Sequence, residues 1–214
     1  MLVLEAHGNE GPFLPPSCGV LVGADAAYAA GQGIVVAAAV AWQAESGRVL
    51  EQHVAMAANA APYVPGRFAE REAGAIIAAL RAFSHRPMAV LCDAHGQAHP
   101  RRFGLACEVA RVTGWPTIGC AKSLLCGRHT GVAAARGSVA DVVLDGEVVG
   151  RVVRTQSQVR PVYVSVGGGI GLDEAVRVVL LAAPRFRLPE PLRLAHQHAA
   201  KALKRLLASA NRAE

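Results

Sequence analysis

Aromatic residues are scarce in this chain, 5% of 214 residues, although apolar types make up 52%. A core must therefore be built from alanine, valine, leucine and isoleucine, with few large rings to fill space. Lysine is rarer still. Of the 22 basic residues all but Lys122, Lys201 and Lys204 are arginine. Against 16 acidic residues this leaves a formal charge of +6 and a pI near 9.4. An excess of guanidinium groups favours an anionic partner and suits forked contacts to phosphate, so nucleic acid, a nucleotide or an acidic membrane surface all fit on charge alone. No long apolar run exists. The longest, 34–42, is about half of the ~20 residues of a membrane helix. No C-x-x-C pair exists either, and the five cysteines (18, 92, 107, 120, 126) are odd in number. That composition argues against a disulfide framework and for a reducing, cytoplasmic setting. The opening residues carry no basic flank and no signal-like apolar stretch. The expectation is a cytoplasmic α/β protein, one domain over 1–214, with no membrane association.

What is present is a series of short apolar runs broken by turn residues. Strands are predicted at 18–25, 34–42 and 48–55, joined by short turns as an antiparallel meander. After two prolines, Phe68, Ala75, Ile76, Ala79, Leu80 and Phe83 repeat at helical spacing. A strand at 88–93, a helix at about 101–112 and a strand at 114–121 follow. The section 140–154 reads as a hairpin turning at Asp145 and Gly146, a strong two-residue turn pair. A strand at 162–166, a helix capped by Asp173 and running to 181, a connector at 184–191 and a helix at 192–207 complete the chain.

The apolar runs 18–25 and 88–93 both end on an aspartate. A carboxylate closing a buried strand is costly unless it is paired or binds a cation, and strand ends in α/β sheets open into ligand crevices. The alternative for Asp93 is a turn or helix cap. Glu72 falls inside the apolar stripe of its helix, at Phe68 + 4, and so faces inward unless that stripe is only the rim of the core. Asp25, Glu72 and Asp93 together suit a hard cation with oxygen ligands, Mg²⁺ or Mn²⁺, which commonly bridges to phosphate, and hence metal-assisted phosphodiester hydrolysis. Arg101 and Arg102 stand just beyond, placed to meet a phosphate. His95 and His99 have the spacing of a zinc pair, but Gly96 and Pro100 break any regular helix and no third ligand is evident. On the last helix, His196 lies at the edge of the apolar stripe, either as a hydrogen-bonded core residue or as an acid–base group. Pro62, Val64 and Pro65 stiffen a loop around Tyr63, whose flat face either packs in the turn or stacks where a base has left a duplex.

Five motifs occur in order: GAD at 23–25, PYVPG at 62–66 with RE at 71–72, CDAHGQAHPRR at 92–102, PTIGCAK at 116–122 and PEPLRLAH at 189–196. Together they resemble the endonuclease V family over about residues 18–207. The resemblance implies a ribonuclease H-like fold, a mixed sheet opening with a three-stranded antiparallel meander and carrying helices on both faces. It implies a Mg²⁺-dependent endonuclease, with Mn²⁺ as a substitute, that cuts DNA near deaminated bases, chiefly hypoxanthine, in DNA repair. Inosine-containing RNA is the rival substrate, and a monomer the expected form. It further implies that Asp25, Glu72 and Asp93 hold the metal, that Lys122 and His196 complete the catalytic set, that His99 supports it, and that the segment from Pro62 to Pro65 is a strand-separating wedge. A relative that binds deaminated nucleic acid without cutting is the alternative from another class. Glu70, Gly168 and a short N-terminal stretch depart from the family pattern.

Overall fold

The computed structural model describes residues 19–29, 33–57, 68–84 and 86–210, the side chains of 68–71 excepted. Eight strands form one mixed sheet: β1 (Val20–Ala29), β2 (Ile34–Gln43), β3 (Arg48–Ala57), β4 (Ala89–Cys92), β5 (Thr117–Ala121), β6 (Val139–Leu144), β7 (Glu147–Val153) and β8 (Val162–Gly168). Their order across the sheet is β3-β2-β1-β4-β5-β8-β7-β6. The first three strands are the expected antiparallel meander, β4 and β5 add to β1 in parallel, and β8, β7 and β6 return antiparallel.

Helices α1 (Phe68–Arg81) and α2 (Leu105–Thr113) cover one face, and α3 (Leu172–Ala182) and α4 (Glu190–Ala210) cover the other. Because side chains alternate along a strand, Val22, Val90 and Cys92 pack under Ile76, Leu80 and Val109, while their neighbours Leu21, Ala89 and Leu91 pack under Val178, Val179 and Leu192. Coverage on both sides explains why β2 reads IVVAAAVAW without polar alternation. Its alanines keep the layers close in a core nearly free of rings.

Several boundaries differ from the sequence reading. The first strand does not end at Asp25. It continues to Ala29 because β2 supplies antiparallel partners as far as Ala29↔Ile34. What stops beside Asp25 is the parallel ladder to β4, whose last pair is Ala24↔Cys92. The helix expected from 101 starts at Leu105. Arg102 has a left-handed φ of +54°, incompatible with a helical turn, and the loop before it is pinned down. The Gly96 N–H donates to Ser165 Oγ (2.9 Å), Gln97 N–H to Val166 O (2.8 Å) and Gly104 N–H to Gly96 O (3.0 Å). A side chain at Gly96 would meet the Val166 carbonyl oxygen at 2.1 Å. Asp173 is not a cap. Gly171 takes that position, and the Asp173 carboxylate accepts from Arg151. The last helix begins at Glu190 with Pro191 in its first turn, where the missing N–H has no cost. The Asp145–Gly146 turn is as expected, both residues having positive φ (52° and 83°).

Candidate active site

Strands β1, β4 and β5 are adjacent and mutually parallel, so their C-terminal ends share one edge of the sheet. Asp25 follows the last β1–β4 pair, Asp93 follows β4, and Lys122 follows β5. The Asp93 N–H donates to the Ala24 carbonyl at 3.2 Å, which keeps the two acids side by side. The Lys122 ammonium pairs with Asp93 Oδ2.

The fourth group comes from the far end of the chain. His196 Nδ1 lies 2.6 Å from Asp25 Oδ2. Gly23 makes this approach possible, since a Cβ there would fall 2.1–2.3 Å from the backbone of Pro191 and Leu192. Helix α4 therefore rests directly on β1, with Leu192, Ala195 and Ala199 buried and His196 turned out of the core. His196 is not a core residue, since its side chain is 56% exposed.

Ligand atoms of Asp25, Asp93 and His196 all lie within 4.8 Å of one another. Asp25 is 8% exposed, and burial first, then the neighbouring Asp93, raises its carboxyl above the ordinary 3.8, against the hydrogen bond from His196. Glu72 is buried on α1, as its place in the apolar stripe predicts, but its carboxylate is not one of this close group.

His99 is also buried, and its Nδ1 accepts the Arg101 N–H at 3.2 Å. Among the described residues, His95 and His99 belong to no metal-holding group. Burial pushes the His95 imidazole down to about 4, and its Nε2 meets the Ser123 carbonyl at 3.1 Å. Arg102, expected to meet phosphate, is engaged within the protein. Its guanidinium donates to the Leu144 carbonyl at 2.7 Å and pairs with Glu147 at 3.3 Å, so it anchors the β6–β7 hairpin. Pro62, Tyr63, Val64 and Pro65 lie outside the described residues.

Sequence reasoning passes over Ser165, which holds the loop after Asp93, and Arg187, which donates to the Lys122 carbonyl at 2.5 Å. The sole sign of Arg187 is an arginine between apolar Phe186 and Leu188 in a proline-framed connector.

The family model for endonuclease V matches residues 8–197. The chain belongs to the endonuclease V family. Enzymes of this family hydrolyse phosphodiester bonds of DNA near deaminated bases in repair, which makes this member a nuclease. It is 50% identical to endonuclease V of Gloeobacter violaceus over 151 residues, 70% of this chain and 61% of that relative. The crystal structure of endonuclease V from Streptomyces avermitilis is 41% identical, covers 92% of this chain and 87% of its own, and superposes with a TM-score of 0.88. The fold is thus the ribonuclease H-like one. At 22% identity, covering 88% of this chain and 87% of its own, the fold is also that of Ciona intestinalis endonuclease V in complex with a 24mer DNA containing an inosine followed by a ribo-adenosine (TM-score 0.76). Among the described residues no helix is long and apolar enough to cross a membrane.

Proposed function

We propose that the edge formed by Asp25, Asp93, Lys122 and His196, together with Glu72 of α1, is a divalent-cation centre where this chain hydrolyses a DNA phosphodiester bond near hypoxanthine. The observation that carries this reading is the convergence of Asp25, Asp93 and His196. Two carboxylates and one imidazole form an oxygen-rich set that fits Mg²⁺, with Mn²⁺ as a substitute. Asp25 supports the fit, because a carboxyl raised by burial and by a second acid is relieved by a bound cation. Asp25 and Asp93 would hold the ion, with Glu72 contributing from α1. When bound, it lowers the pKa of water and offsets charge on the leaving oxygen.

The chain's own residues supply the rest. A carboxylate only accepts, so Nδ1 of His196 carries the proton shared with Asp25, and Nε2 is the atom left to exchange a proton with water or the leaving alcohol. Hydrolysis joins the water oxygen to phosphorus, breaks one P–O ester bond and returns a proton to the departing oxygen. Lys122 contributes positive charge at the phosphate while steadying Asp93. Tyr63, with Pro62, Val64 and Pro65 beside it in sequence, would be the wedge that fills the space left by the lesion base. Arg101 would meet the phosphates of the strand, and the buried His99 would support the site from within.

Hypoxanthine as the target base is supported by the inosine-containing DNA held by the Ciona relative. The ribo-adenosine in that complex favours a second reading, cleavage of inosine-containing RNA. We further read the chain as a monomeric single-domain protein of the cytoplasm, in keeping with free thiols at Cys92, Cys107, Cys120 and Cys126. The test is incubation with end-labelled oligonucleotides carrying one hypoxanthine, as DNA and as RNA, with Mg²⁺ and with EDTA. Nicking of the DNA in Mg²⁺ alone is expected. Equal nicking of unmodified DNA, or nicking in EDTA, would overturn the proposal.

A further inference from the structure

The catalytic lysine sits where the sheet no longer holds it. Strand β5 pairs with β4 only as far as Gly119 and with β8 only as far as Ala121. Lys122 and Ser123 therefore lie beyond both ladders. A lysine side chain is a flexible four-carbon stem, and it reaches Asp93 reproducibly only if the backbone it hangs from is fixed.

Two side chains take over where the ladders stop. The Arg187 guanidinium donates through Nη2 to the Lys122 carbonyl at 2.5 Å and to the Pro161 carbonyl at 2.8 Å. Its own carbonyl accepts from Thr155 Oγ1 at 2.7 Å, and Thr155 is fully buried. The partners shown for the guanidinium are carbonyl oxygens, from residues just before β8 and just after β5. The next carbonyl, that of Ser123, lies 3.1 Å from His95 Nε2. A carbonyl only accepts, so Nε2 carries the proton, while Nδ1 is buried without a hydrogen-bond partner. His95 is two residues from Asp93, and thus the loop bearing the acid grips the loop bearing the base that pairs with it.

We propose that Arg187 and His95 are positioning residues that clamp the successive carbonyls of Lys122 and Ser123, fixing the stem from which Lys122 reaches Asp93 and the scissile phosphate. This rests on the reading of the edge as a phosphodiesterase centre. Neither residue touches the reacting atoms. Both act through Lys122.

The test compares full-length Arg187→Met, Arg187→Ala, His95→Leu and His95→Gln with the wild type. Three quantities are measured: the single-turnover nicking rate on hypoxanthine-containing duplex in Mg²⁺, the Kd for that duplex in EDTA, and hydrogen exchange of the backbone amides at 122–126 in the metal-free protein. Arg187→Met and His95→Leu are expected to lose roughly tenfold to a hundredfold in rate, with Kd within about threefold and faster exchange at 122–126. Added guanidinium should restore part of the rate of Arg187→Ala. Glutamine keeps an N–H donor, so His95→Gln should recover most of what His95→Leu loses. An unchanged rate with unchanged exchange overturns the clamp. So does a rate loss matched by an equal loss of affinity and thermal stability, with no rescue. If Arg187→Met does not fold, the two His95 variants decide. If the wild type itself does not nick the duplex, the nuclease reading fails, while exchange at 122–126 still decides the clamp.

Discussion

Asp93 and Asp25 stand side by side, yet different measurements separate their roles. Asp93→Ala should lower nicking at least about a thousandfold, ~4 kcal/mol of barrier, while the Kd for hypoxanthine-containing duplex in EDTA moves little, as gel-shift titration would report. Asp25 offers a test of sign. Its carboxyl is raised in the folded state, by burial first and Asp93 second, so the folded protein binds that proton more tightly than the unfolded chain. The destabilisation this brings is absent below the ordinary 3.8, grows as pH rises from there to the folded-state value, and is then constant. Without divalent cation at pH 7, Asp25→Asn should therefore melt higher than wild type, and the advantage should shrink as the buffer approaches pH 3.8. Excess Mg²⁺ should raise the melting temperature of the wild type and not of the variant, because only a folded state that binds the ion gains from it. Calorimetry in EDTA and in Mg²⁺ reads both. For Tyr63→Ala the expectation is a preference for hypoxanthine-containing over undamaged duplex reduced by about tenfold to a hundredfold, the ~1–3 kcal/mol of one stacked base, with undamaged duplex bound as before. An unchanged preference in paired titrations would mean that Tyr63 only packs.

Elements carry these residues, and two substitutions away from the chemistry test how. A valine at Gly23 would overlap the backbone of Pro191 and Leu192 and lift α4 from β1. Gly23→Val should cost about 1–3 kcal/mol of stability and, by moving His196 off Asp25, most of the nicking rate. Denaturant melts and single-turnover assays check both. Arg102→Ala should loosen the β6–β7 hairpin, about 1 kcal/mol for its lost carbonyl hydrogen bond, yet leave unchanged the salt dependence of binding to undamaged duplex, because the group it frees is bound to protein and not to phosphate. At this scale the sequence was readable wherever a local pattern decides the outcome. The apolar runs of β2 and β4, the helical stripe under α1 and the Asp145–Gly146 turn are local. The extension of β1 past Asp25 depends on β2, and the late start of α2 depends on Ser165 and Val166, about 60 residues onward, holding the loop before it. No window around 101–104 contains that information.

Across the whole molecule the same division holds. That Asp25 and Asp93 would be neighbours is suggested by two apolar runs that each reach an aspartate, although it is the parallel β1–β4 ladder, and not the end of β1, that sets them side by side. That β8 lies against β5, or that Arg187 reaches Lys122 across 65 residues, follows from no pattern short of the assembled sheet. The excess of positive charge, by contrast, is legible from composition. Because α4 lies against β1 and places His196 on Asp25, the site joins residues 171 positions apart in sequence. A chain growing on the ribosome thus holds both carboxylates long before it holds His196. At about 5–20 residues per second, roughly ten to thirty seconds pass between the synthesis of Asp25 and that of His196. During that interval Gly23 lacks the helix backbone that rests on it, so on the proposed mechanism the two carboxylates stand without their imidazole until α4 has been made.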